Sequence, residues 1–236
     1  MSTTAISIPD CVWYHDPEVG APKPGLFITL EGIEGSGKSL QSRLLEKHWT
    51  RLGVPVITSH QPGGTLFGEE VRQVLLRQDG AAREPQSELL LYLADRYQHL
   101  KEVIEPALQK GLHVICDRYH DATMAYQGHA RGLGFALIDR FAEILELRSP
   151  DLTLVLDLEV QLSLNRAIER NNRENQGKWG RFEAEDLSFH QRVREGYQLL
   201  AQREPERVLL VEASGNPEAV FEKILCLLEK NPLLKQ

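Results

Sequence analysis

The chain has 236 residues, 42% hydrophobic and 26% charged, an ordinary globular composition that argues against a largely disordered polymer; the length fits one α/β domain or two small ones, the single domain being the safer reading. A formal net charge of −7 argues against a general nucleic-acid or anionic-membrane binder, while leaving room for a local basic pocket. Cys11, Cys116 and Cys226 are odd in number and far apart, so neither a disulfide framework nor a structural zinc site is expected.

Residues 1–25 carry Pro9, Pro17, Pro22 and Pro24 without periodicity and read as an arm outside the core, with no signal-peptide pattern. From Leu26 the grammar changes. Apolar, β-rich runs recur at Leu26–Glu31, Val54–Ser59, His113–Asp117, Leu152–Asp157 and Val208–Val211, as expected for strands buried on both faces of a parallel sheet. Helical periodicity lies between them. Leu45, Trp49 and Leu52 share a face that Gly53 ends, and Leu93, Tyr97, Leu100 and Ile104 follow the same spacing. Near the C-terminus Asn216 and Pro217 open a helix whose Val220, Ile224 and Leu227 share a face. Strands alternating with helices predict a doubly wound, five-stranded parallel sheet with ligands at the strands' carboxyl ends. No apolar run approaches the ~20 residues that span a bilayer, so a cytoplasmic protein is expected.

Gly32, Ile33, Glu34, Gly35, Ser36, Gly37, Lys38 and Ser39 match G-x-x-x-x-G-K-[ST], placed between a strand and a helix. The glycines let backbone N–H groups turn inward on phosphate, and the helix N-terminus adds a favourable dipole. Lys38 is placed to reach the β- and γ-phosphates of ATP, and the Ser39 hydroxyl to ligate Mg²⁺. Nucleotide triphosphate binding follows. A GTPase would need N-K-x-D, yet none of the six asparagines precedes a lysine.

Further along, Tyr92 and Arg96 lie one turn apart and share a helix face, where ring and guanidinium either recognise a pyrimidine or simply stack. Asp117 and Arg118 end an apolar strand. The arginine can hold a phosphate bidentately, and the aspartate can bind Mg²⁺ through water or orient that arginine. Between Arg166 and Arg181, five basic residues (Arg166, Arg170, Arg173, Lys178, Arg181) stand against Glu169 and Glu174 in an acidic protein. With Gly177 and Gly180 among them, a mobile cationic lid over about 166–183 is expected; a solvated charged face is the alternative.

Five motifs in order, from about Phe27 to Ser214, resemble the thymidylate kinase family, P-loop nucleoside monophosphate kinases that phosphorylate dTMP. Glu31-Gly32-Ile33-Glu34-Gly35 is similar to the family's E-G-x-[DE]-G, and Gln61-Pro62-Gly63-Gly64-Thr65 to its E-P-G-G-T. Glu88 to Arg96 is similar to E-L-L-L-[FY]-x-A-D-R. Asp117-Arg118-Tyr119, followed by Ala125-Tyr126-Gln127-Gly128, and Arg181-Phe182-Glu183 complete the set. The resemblance implies that Tyr92 and Arg96 hold thymine, that Thr123 reads the pyrimidine edge, and that Tyr126 sits against the 2′ carbon. It also implies that Glu34 lies near the sugar 3′-OH and metal, with Gln127 lining the pocket and Lys38, Arg118, Arg170, Arg173 and Arg181 in catalysis. A homodimer with ATP and dTMP as small-molecule partners, and with neither nucleic acid nor membrane, is the inherited expectation. The chain departs from the family at His60-Gln61, where Arg-Glu is usual, and at Ala122, where serine is common. The arm is outside the resemblance. Two other readings remain open here, a kinase for another small acceptor and a nucleotide-binding regulatory module.

Overall fold

The computed structural model describes residues 25–77, 83–174, 181–182 and 184–231. Apart from Gly25, the expected arm therefore lies outside the described residues. The strands are β1 (Phe27–Glu31), β2 (Val56–His60), β3 (His113–Asp117), β4 (Leu152–Asp157) and β5 (Val208–Glu212). They form one sheet in the order β2-β3-β1-β4-β5, every pair parallel. All five residues of β1 are buried, which the central position of a two-sided sheet demands.

Side chains of β1 alternate between the two faces. Ile28 and Leu30 join Leu45, Trp49, Ile224 and Leu228, whereas Phe27 packs with Leu100, Ile104 and Tyr119. The first face is covered by α1 (Lys38–Arg51) and α9 (Pro217–Lys230). After β2 come α2 (Leu66–Leu76) and α3 (Pro85–His99), packed on each other. Behind them come a π-helical turn at Leu100–Ile104 and α4 (Glu105–Gln109). Next in the chain are α5 (His120–Thr123), a π-helical segment at Met124–Ala130, α6 (Phe135–Ile144), α7 (Val160–Glu174) and α8 (Leu187–Arg203). Asn216 caps α9 by accepting from the Ala219 amide at 2.8 Å.

Two expected core residues point elsewhere. Leu52 is 65% exposed because α1 ends at Arg51 and the chain turns at Gly53, φ +73°. Tyr97 is 42% exposed and its ring lies against Lys101, while Arg96 takes the inward position beside Leu93 and Leu100. The buried stripe of α3 is thus Leu89, Tyr92, Leu93, Arg96, and it carries a guanidinium into the interior. No helix among the described residues is long and apolar enough to cross a membrane.

Candidate active site

The carboxyl ends of β1, β2 and β3 open into one cleft of about 440 Å³. Glu34, Gly35, Lys38 and Ser39 line it from the loop between β1 and α1. Gly35 has φ +79°, and a Cβ there would lie 1.9 Å from the Ser163 carbonyl oxygen of α7, so the loop tolerates no side chain at this point. Lys38 folds over its own loop, donating to the carbonyls of Gly32 at 3.0 Å and Ile33 at 2.9 Å. Burial first, then the charge of Arg118, pull its pKa down to about 8.

Ser39 Oγ donates to Asp117 Oδ2 at 2.5 Å. A hydroxyl and a carboxylate at that spacing suit a hard divalent cation that takes its other ligands from water and phosphate. No cluster of three or more His, Cys, Asp or Glu fit to hold a metal occurs among the described residues.

Arg118 adopts φ +69°, uncommon for a non-glycine residue. Two buried bonds hold this turn: the Arg118 amide donates to Leu30 O at 3.0 Å, and the Tyr119 amide donates to Glu31 Oε1 at 2.7 Å. The strained residue carries the side chain that joins the two halves of the cleft. Arg118 Nη2 donates to Glu34 Oε1 at 2.8 Å, and the Tyr126 hydroxyl donates to the same oxygen at 2.7 Å. Burial works against ionised Glu34, yet Arg118, His190 and Lys38 outweigh it and hold the carboxyl below the usual range.

Across the cleft, Tyr92, Arg96, Thr123 and Gln127 all contribute to the lining. Arg96 is 1% exposed and donates from Nε to Gln61 Oε1, from Nη1 to Thr123 Oγ1 and from Nη2 to Tyr119 O, at 3.0, 2.8 and 2.8 Å. Gln127 is held by buried Glu88, which accepts from its amide at 2.8 Å.

The family model for thymidylate kinase matches residues 30–224. A thymidylate kinase of Solidesulfovibrio magneticus is 46% identical over 201 residues, covering 84% of this chain and 96% of the relative. That of Pelobacter propionicus is 43% identical over 210 residues, 89% and 96% of the two chains. The crystal structure of thymidylate kinase from Ehrlichia chaffeensis has a TM-score of 0.69 and 33% identity, over 87% of this chain and 99% of that one. The chain belongs to the thymidylate kinase family. Its activity is the family's, the ATP-dependent phosphorylation of dTMP to dTDP.

Family membership leaves the placement of individual residues to the structure. The arginines expected to form a lid separate. Arg170 lines the cleft, whereas Arg166 Nη1 reaches the Ala213 carbonyl at 3.4 Å. Arg181 is not among the lining residues: it donates to Glu88 Oε2 at 2.5 Å and to Leu75 O at 3.1 Å. The side chain of Arg173 and all of Lys178 lie outside the described residues.

Three further lining residues were given no site role by the sequence, although Gln61 and Phe182 lie inside its motifs. Gln61, Arg72 and Phe182 reach the cleft, Arg72 with its Nη1 donating to Pro62 O at 2.7 Å. An i, i+4 count backward from Leu76 would have put Arg72 on the α2 face that meets the cleft. The Gly63-Gly64-Thr65 turn serves the framework instead. Thr65 accepts from the Gly68 amide at 2.8 Å as the N-cap of α2, and the Gly63 amide donates to Asp95 Oδ1 at 3.0 Å.

Buried Glu31 gives a pH test of this framework. Burial, then the charge of Asp121, push its pKa up to about 7. The folded state therefore holds this proton over a range where the unfolded carboxyl has lost it, so stability from this group falls as pH rises from about 4 through 7. Glu31→Gln keeps an acceptor for the Tyr119 amide and a partner for the Tyr197 hydroxyl. It is expected to raise Tm at pH 8 by about 2–6 °C and to change it little at pH 5. Thermal melts at the two pH values check this; an equal shift at both refutes the assignment.

Proposed function

We propose the following division of labour in the transfer of the γ-phosphoryl group of ATP to dTMP. Gly32 to Ser39 cradle the ATP phosphates, Lys38 neutralises the transferring group, and Arg118 grips the dTMP phosphate. Tyr92, Arg96 and Thr123 take the thymine, while Tyr126, Gln127 and Glu34 take the sugar side. One observation carries this reading: Glu34, on the ATP loop, accepts from both Arg118 and Tyr126, so a single carboxylate joins the donor and acceptor halves.

Mg²⁺ fits Ser39 and Asp117, with Glu34 nearby but already engaged by Arg118. When bound, it would offset charge on the phosphate oxygens. The acceptor needs no protein base, because a phosphate monoester has a second pKa near ~6 and is largely deprotonated at neutral pH. Positioning and charge are what the cleft supplies, with in-line alignment by Arg118 and Lys38.

The working form we propose is a cytoplasmic homodimer. Exposed Phe67 and Val74 on α2 and Leu90 and Tyr97 on α3 support it by offering apolar surface on neighbouring helices. In this reading the kinase domain runs from about residue 26, with a lid at about 166–183, and Arg181 clamps Glu88 at the edge of the acceptor pocket.

Acceptor kinetics test the assignment. dTMP is expected to be preferred over dUMP, and over dCMP more strongly; the dCMP arm follows because Arg96 presents only donors and suits a 4-oxo group, which dUMP shares. Arg96→Ala should raise KM for dTMP more than for ATP. Equal rises, or use of dCMP as good as dTMP, would show that Arg96 does not read the base.

A further inference from the structure

A directed hydrogen-bond chain runs behind Arg96. Gln61 Nε2 meets His99 Nδ1 at 2.8 Å, and His99 Nε2 meets Ser59 Oγ at 2.6 Å. Arg96 Nε–H can only donate, so the oxygen end of the Gln61 amide must face it. The nitrogen end then donates to His99, which makes Nδ1 the bare nitrogen and leaves the ring proton on Nε2, donated to Ser59. His99 is fully buried, and burial followed by the charges of His60 and Arg96 brings its pKa down to about 4, consistent with a neutral ring. The packing is tight around it: a Cβ on Gly64 would lie 2.7 Å from Ser59 Oγ and 2.8 Å from His99 Nε2.

We propose that Gln61 and His99 are positioning residues for the acceptor base, fixing the Arg96 guanidinium so that one N–H on each terminal nitrogen is left for the cleft. Three of its five N–H bonds go to Gln61, Thr123 and Tyr119, and two remain on Nη1 and Nη2. A carboxylate at position 61 would accept from either oxygen and need no orienting partner. An amide has a single acceptor end, and His99 selects it. This inference rests on Arg96 facing the base, as argued above.

Steady-state kinetics of the full chain with dTMP and ATP test it. Gln61→Leu, which removes both the acceptor for Arg96 Nε and the donor to His99 Nδ1, is expected to raise KM for dTMP about tenfold, with kcat and the KM for ATP within about twofold. Gln61→Glu restores an acceptor and should return KM for dTMP to within about threefold of the parent. His99→Phe should raise KM for dTMP about five- to tenfold alone, but less than about twofold when combined with Gln61→Glu. An equal rise in both backgrounds, or a matching loss in kcat and ATP binding, makes the ring a packing residue and overturns the proposal. Should His99→Phe fail to fold, Gln61→Leu decides: an unchanged KM for dTMP overturns it. Arg96→Lys separates the two levels. An unchanged KM for dTMP there refutes base reading by Arg96. A raised one, with the Gln61 and His99 variants silent, refutes only the positioning role.

Discussion

Alanine at both Arg170 and Arg173 is expected to lower kcat by about 10³-fold while weakening dTMP binding little, because an arginine on the transferring phosphoryl group is worth ~10³–10⁵ in comparable reactions. The structure narrows where that charge can come from. The family resemblance includes an arrangement with arginine directly after the loop's acidic residue, and here that position is Gly35. A Cβ at Gly35 would strike the Ser163 carbonyl of α7, so the same helix that carries Arg170 also bars an arginine from the loop. Arg170 lines the cleft, whereas Arg181 is tied to Glu88 and Leu75. The measurement is kcat and dTMP Kd for Arg170→Ala, Arg173→Ala and the pair. If the pair keeps more than about a tenth of the parent kcat, a loss of at most ~1.4 kcal/mol, the lid does not supply the catalytic charge.

Lys38→Ala is expected to lower kcat by about 10²-fold or more, with a smaller effect on dTMP affinity. The ammonium group is buried and rests on the Gly32 and Ile33 carbonyls, neutral partners that a phosphate oxygen would outcompete. Burial and the neighbouring charge of Arg118 pull its pKa down to about 8 despite Asp117, Glu34 and Glu31 nearby. An interaction that strengthens as negative charge gathers on the transferring group acts on kcat more than on ground-state binding. Single-turnover phosphoryl transfer at saturating ATP and dTMP checks this. Near-normal turnover by Lys38→Ala would remove the loop lysine from the mechanism.

The inner strands were legible in the sequence because two-sided burial leaves a continuous apolar run: His113–Asp117 and Leu152–Asp157 appear with the expected bounds and β1 within one residue. The edge strands β2 and β5, found within two residues, are not buried on both faces as expected because each pairs on one side only. The loop from Gly32 to Ser39 was legible because phosphate binding constrains glycine, lysine and hydroxyl at fixed spacing. Even Tyr92 and Arg96 followed from a one-turn separation on a helix.

Bond partners between distant segments were not legible. Periodicity placed Tyr97 inward, yet the buried position went to Arg96, because Gln61 and, from a second segment, Tyr119 and Thr123 accept from three of its N–H groups. Spacing grouped Arg166, Arg170 and Arg173 on one helical face with Arg181 beyond the glycines, yet Arg170 lines the cleft, Arg166 reaches the Ala213 carbonyl and Arg181 is tied to Glu88. Composition and spacing act along the chain and are written in it. The chain determined its sheet, its phosphate loop and its family by itself. Which buried polar group meets which partner depends on contacts between residues far apart in the chain, 35 residues for Arg96 and Gln61 and 88 for Tyr119 and Glu31, and only the folded chain brings those atoms within reach.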